Sequence, residues 1–144
     1  MTSNDLIAFH KGNISWQESI RLAVSLLVKN NIAESGLADE IIKSTLKYGP
    51  YYVIAEKVAL AHTAVCEYNK KPGMSLVIFE NAIKFSENQK HEVNLLFCMS
   101  AIDSDSHMGI LQKFANTLSQ KDIVSKILNE SDKTKIYEIF KGLI

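Results

Sequence analysis

The sequence predicts an α/β fold in which helices come first, a mixed sheet follows, and helices close the chain. Three observations carry this. Apolar residues recur with helical spacing near both ends of the 144-residue chain. The middle holds four short apolar runs, YYVIA (51–55), VALA (58–61), MSLVIF (74–79) and VNLLFCMSA (93–101). The last is almost continuously apolar, as expected of a strand covered by helices on both faces.

The elements follow in order. Ser15-Trp16-Gln17-Glu18 fits a capping box, a hydroxyl followed three residues later by a carboxylate. Trp16, Ile20, Val24, Leu27 and Val28 then share one helical face, and Asn30-Asn31 ends the helix. The whole N-terminal quarter reads as helical. A second helix is predicted over about 34–48, with Leu37, Ile41 and Leu46 inward. Gly49-Pro50 stops it, because proline lacks an amide hydrogen and disfavours helix in the residue before it. Pro72-Gly73 is turn chemistry ahead of the third apolar run. NAIKF (81–85) reads as a short extra strand or an irregular edge. Beyond Ala101, Ile110, Leu111, Phe114, Ala115 and Leu118 recur with helical spacing. Two shorter helices are predicted over about 121–129 and 132–142, the last with Ile136, Ile139, Phe140 and Leu143 inward. No repeat, linker or low-complexity segment divides the chain, so one domain over 1–144 is expected.

Composition narrows the function classes. Sixteen acidic and sixteen basic residues balance, which gives no electrostatic case for nucleic acid or an anionic membrane. Arg21 is the single arginine, so bidentate guanidinium clamps on phosphate are scarce. The start has no basic n-region and no long apolar core, so no signal peptide is expected. No stretch reaches the roughly 18 apolar residues of a transmembrane helix, and no membrane insertion is expected. Two cysteines, Cys66 and Cys98, make no disulfide framework; reduced thiols in a cytoplasmic protein are the simplest reading.

The chemistry-bearing residues are histidines. In helix-flanked sheets, ligands bind beyond the carboxyl ends of strands. His62 ends KVALAHTAV and His107 follows the apolar run that closes at Ala101. His10 lies in the N-terminal segment, and His91 precedes that run and should sit at its other end. His62 and His107 are therefore expected to share one site. Such a pair suits phosphoryl transfer: one neutral ring nitrogen attacks phosphorus while the second imidazole donates to the phosphoryl oxygens. The N-terminus of the helix opening near His107 would add favourable dipoles for an anion. The small Ala61, Thr63 and Ala64 would leave His62 open to a docking partner.

Bland readings stand beside this one. A lone histidine at a strand end is more often a hydrogen-bonded structural residue, and spacing alone leaves both readings open. Asp103 and Asp105 fit helix capping, or a metal site with the two histidines. No HExxH or paired CxxC supports the metal, and none is expected. Cys66, four residues after His62, raises a thiol–imidazole dyad, but no third orienting group is evident. Tyr48, Tyr51 and Tyr52 read as packing, since no basic stripe accompanies them.

Four stretches together resemble a known family: WQESI at 16–20, YGPYYVIAEKVALAHT, KPGMSLVIFENAIKF, and NLLFCMSAIDSDSHMGILQKFANTL. The chain is similar to the EIIA components of the bacterial phosphoenolpyruvate-dependent sugar phosphotransferase system (PTS), of the mannitol/fructose class, and more closely to its ascorbate-type branch. The resemblance implies a mixed, mostly parallel sheet with helices on both sides. It implies that His62 accepts a phosphoryl group from the histidine-containing phosphocarrier protein and passes it to a cysteine of a cognate EIIB. It assigns His107 to hydrogen-bonding the phosphoryl group, and it implies no metal or organic cofactor.

Two departures stand close to His62. The family usually has proline just before the active histidine and often arginine two residues after it; here these are Ala61 and Ala64. Lys47, Lys70 or Lys71 could supply point charges instead. The altered surroundings motivate a rival of another class, an EIIA-like regulatory or interaction domain that does not feed a transporter. A metal- or thiol-dependent hydrolase using His62, His107 and Cys66 is a third reading.

Overall fold

The computed structural model describes residues 3–141 and 143. Its centre is a five-stranded sheet in the order β1-β4-β5-β3-β2. The strands are β1 (Ile7–His10), β2 (Val53–Ala55), β3 (Lys57–Ala61), β4 (Gly73–Lys84) and β5 (Glu92–Ser100). The helices are α1 (Trp16–Lys29), α2 (Gly36–Tyr48), α3 (Ser104–Leu118), α4 (Ile123–Leu128) and α5 (Lys133–Ile139).

Side-chain alternation builds two cores. Val77 and Phe79 of β4, Leu96 and Cys98 of β5, and Ala59 and Ala61 of β3 pack with α1 and α2 through Ile20, Val24, Leu27, Leu37 and Ile41. Leu76, Ile78, Leu95, Phe97 and Met99 face the other way, against Phe114, Ile127, Ile136 and Phe140 of the C-terminal helical segment. The Phe97 ring meets Phe114 and Phe140 edge-on, with centroids 4.8 and 4.9 Å apart. This two-sided cover explains the unbroken apolar run of β5.

The helix ends follow the local chemistry. The Ser15 hydroxyl accepts from the Glu18 amide at 3.1 Å, as the capping pattern predicts. Asn30 caps the other end of α1 and bonds the Leu26 carbonyl through its side chain. Gly49, at φ +78°, takes the chain out of α2 in a conformation that costs glycine nothing.

The mixed, helix-flanked sheet agrees with expectation, but several details differ. Parallel pairings are not the majority: β1–β4 and β3–β5 are parallel, while β4–β5 and β2–β3 are antiparallel. The cause is connection length. Only Glu56 separates β2 from β3, and a short loop returns β4 into β5, whereas parallel neighbours need a long crossover. The N-terminal quarter is not all helical, because Ile7–His10 forms an edge strand on β4. Leu46 is exposed rather than inward, at 71%. Residues 81–84 of NAIKF continue β4 across an irregularity between Ile78 and Ile83, and Phe85 lies just beyond the strand. Tyr51 and Tyr52 belong to the turn before β2, not to the strand.

Candidate functional site

The parallel pairing of β3 with β5 sets Ala61 opposite Cys98, so both strands finish at the same edge of the sheet. His62 is the next residue after β3 and His107 lies in the first turn of α3. The two imidazoles meet edge to face with centroids 5.4 Å apart. The topology thus brings together the two residues that the sequence nominated. His10 and His91 lie at the opposite edge, His10 against Phe79 and His91 with Nδ1 2.7 Å from the Ser86 hydroxyl.

His62 is half-buried, and its Nδ1 lies 2.7 Å from the carbonyl oxygen of Leu60. A carbonyl only accepts, so Nδ1 carries the hydrogen and the neutral ring keeps its free lone pair on Nε2. Burial lowers the pKa of His62 below the usual imidazole value; the Leu60 carbonyl opposes this, and the neighbouring His107 adds to it. The result is a neutral imidazole with one nitrogen anchored and the other available as a nucleophile.

The start of α3 is fixed by a complete capping box. Asp103 accepts from the Ser106 amide at 2.7 Å, and the Ser106 hydroxyl takes the Asp103 amide at 3.2 Å. The bonds from Ser106 hold the exposed Asp103 carboxyl below its usual range. Asp103 is thus committed to capping. Among the described residues no group of three or more His, Cys, Asp or Glu side chains is arranged to hold a metal ion.

The loop after His62 is tied down by Asn69. Its side-chain oxygen accepts from the Cys66 amide at 2.9 Å and thiol at 3.3 Å, while its amide nitrogen donates to Ser100 at 3.0 Å. The Cys66 thiol is therefore engaged with Asn69, which leaves the imagined dyad with His62 without support. Cys98 is core, and burial pushes its thiol up to about 12. Of the lysines, Lys47 places its ammonium over the Tyr48 ring at 5.1 Å. Arg21 pairs with Asp39 on the exposed face of the helices at 2.9 Å.

The family model described as phosphoenolpyruvate-dependent sugar phosphotransferase system, EIIA 2, matches residues 1–142. The chain belongs to this EIIA family. It is 37% identical over 125 residues to the mannitol-specific cryptic phosphotransferase enzyme IIA component of Escherichia coli (strain K12), across 86% of this chain and 84% of that protein. It is 32% identical over 114 residues to the ascorbate-specific PTS system EIIA component of Salmonella typhimurium, across 78% and 74%. The solution structure of the cryptic mannitol-specific enzyme IIA from Escherichia coli superposes with a TM-score of 0.83 at 30% identity, covering 96% of this chain and 92% of that one. Mannitol enzyme IIA in its complex with phosphorylated enzyme IIB, also from Escherichia coli, gives 0.84 at 18% identity, covering 99% and 98%, and shares the fold.

In this EIIA Tyr51 is more than packing, contrary to the expectation from sequence: its ring stands edge-on to His62 at 5.6 Å and its hydroxyl donates to the His62 carbonyl. Val65, Ile102 and Met108, in the segments that carry the two histidines, are exposed. A signal for Tyr51 exists in KSTLKYGPYY, where Ser44-Thr45 precede Tyr51-Tyr52 by seven residues across Gly-Pro. Both pairs bond in the fold, Ser44 with Tyr51 at 3.1 Å and Thr45 with Tyr52 at 2.6 Å.

Proposed function

We propose that this sugar phosphotransferase-system component is a cytoplasmic phosphocarrier in which His62 is the phosphorylated residue and His107 the group that steadies the phosphoryl. The observation that carries the reading is the anchored Nδ1 of His62, which leaves Nε2 as the nucleophilic nitrogen beside a second imidazole 5.4 Å away.

The chemistry runs in two displacements. The Nε2 lone pair attacks the phosphorus of a phosphohistidine on the histidine-containing phosphocarrier protein. The new P–N bond forms as the donor's P–N bond breaks, and the donor imidazole leaves. His107 then donates to the phosphoryl oxygens while the Nδ1–H of His62 stays on the Leu60 carbonyl. In the second displacement a cysteine thiolate of an EIIB attacks the same phosphorus. A P–S bond forms as the P–Nε2 bond breaks, and His62 leaves as the neutral imidazole with its hydrogen still on Nδ1. The protein contributes positioning and charge stabilisation rather than elaborate acid–base work. The names of the mannitol and ascorbate relatives favour a polyol or a sugar-like acid as the substrate of the downstream transporter. Exposed Tyr51, Val65, Ile102 and Met108 suit two small, transient contacts in turn.

The test is a reconstituted relay with phosphoenolpyruvate, Enzyme I, the phosphocarrier protein and an EIIB of the mannitol or ascorbate type. The reading expects one acid-labile, base-stable phosphoryl on this chain that disappears when EIIB is added. Phosphorylation that no EIIB discharges would favour the regulatory rival, and no phosphorylation by an active donor would reject the reading.

A further inference from the structure

The geometry points to Tyr51 as a positioning residue for His62, held in turn by Ser44 of α2. The inference rests on His62 being the phosphoryl acceptor. The Tyr51 hydroxyl has one hydrogen, and it goes to the His62 carbonyl. The Ser44 contact at 3.1 Å must then run from the serine hydroxyl to the tyrosine oxygen. The chain Ser44 to Tyr51 to His62 ties α2 to the residue at which the main chain leaves β3.

The ring adds a second restraint. The His62 imidazole meets Tyr51 edge-on at 5.6 Å and His107 edge-on at 5.4 Å, so two neighbouring rings brace it. Tyr51 is itself braced by Tyr52, at 5.0 Å. Tyr52 is fully buried and bonded to Thr45, whose hydroxyl returns to the Ile41 carbonyl. Ala61, the residue before His62, imposes no ring constraint on the approach to the site. Tyr51 supplies the constraint from outside the strand: it fixes the carbonyl of His62, and so the geometry in which Nδ1 reaches Leu60 and Nε2 stays free.

The experiment compares wild type, Tyr51→Phe and Ser44→Ala by two readouts. The first is a long-range ¹H–¹⁵N correlation of the His62 ring, which reports the Nδ1–H tautomer and needs no phosphorylation. The second is the kcat and KM of phosphoryl acceptance from the phosphocarrier protein. Tyr51→Phe keeps the ring and loses the hydroxyl. It is expected to shift the His62 ring nitrogens toward an averaged tautomer and to lower kcat about three- to tenfold, with KM for the donor little changed. Ser44→Ala should move both readouts the same way by less. Unchanged ring nitrogens in Tyr51→Phe overturn the inference, as does an unchanged kcat. A raised KM with wild-type kcat would make Tyr51 a docking residue instead. If Tyr51→Phe does not fold, Ser44→Ala decides on the same criteria. A wild-type protein that accepts no phosphoryl would sink the functional reading, while the nitrogen shifts would still test whether Tyr51 orients His62.

Discussion

The Nδ1 of His62 sits 2.7 Å from the carbonyl oxygen of Leu60, two residues back in β3. One short bond thereby selects the tautomer, and half-burial keeps the ring neutral. Both serve nucleophilic attack by Nε2. The sign of the pH dependence follows. The folded pKa of His62 lies below the ordinary imidazole value of about 6.5, first because of burial and then because of His107, against the Leu60 bond. An NMR titration is expected to place its midpoint below that value. Phosphoryl acceptance should fall with acidification as His62 takes up its proton, with a midpoint below that of an ordinary imidazole. In stability terms the contribution of neutral His62 is complete above the unfolded pKa. It is lost as pH falls through the window down to the lower folded pKa, because the unfolded chain binds the proton first. A His62 midpoint above the ordinary value would contradict this.

Replacing His107 tests the partner ring. His107→Ala removes a neighbour that disfavours the charged form of His62, so the His62 midpoint should rise toward the ordinary value. It also removes the donor to the phosphoryl oxygens. Acceptance should slow by on the order of a hundredfold, the scale for losing one donor to a reacting anion, while His62 remains the labelled residue. Rapid-quench kinetics with intact-mass detection would measure both.

Phe114 links the site to the core. It is 1% exposed and packs on Phe97 from the helix whose first turn carries His107. Phe114→Ala should cost about 3–5 kcal/mol in urea unfolding, from lost transfer energy and the cavity left behind. A cost near zero would mean that α3 is not packed as described.

Leu46 gives the opposite case. The helical spacing predicted it inward, yet it is 71% exposed on α2. Leu46→Lys is expected to change unfolding stability by no more than about 0.5 kcal/mol.

Much of the site was legible because its logic is topological. Two histidines that follow two strands meet when those strands are parallel neighbours, and β3 and β5 are. The apolar run of β5 announced its two-sided burial, and Ser15 and Gly49 announced helix ends. The missed parts are those that tertiary contact decides. Ile7–His10 is four residues long, too short for any period to show, and becomes a strand because Leu76–Phe79 lies alongside. The strand directions depended on loop lengths around Glu56 and before β5, and these overrode the expectation of a mostly parallel sheet. Tyr51 looked like packing because its partners, Ser44 and the His62 carbonyl, are set by the turn at Gly49-Pro50 and not by helical or strand spacing.

The central claim is that His62 carries the phosphoryl group, and one measurement tests it most directly. Wild type and His62→Ala are each incubated with phosphoenolpyruvate, Enzyme I and the phosphocarrier protein, and their intact masses are recorded at neutral pH and after brief acid treatment. The account predicts one phosphoryl on wild type, removed by acid, and none on His62→Ala with its fold intact by circular dichroism. A folded His62→Ala protein that gains the same acid-labile phosphoryl would contradict it and move the acceptor to another residue.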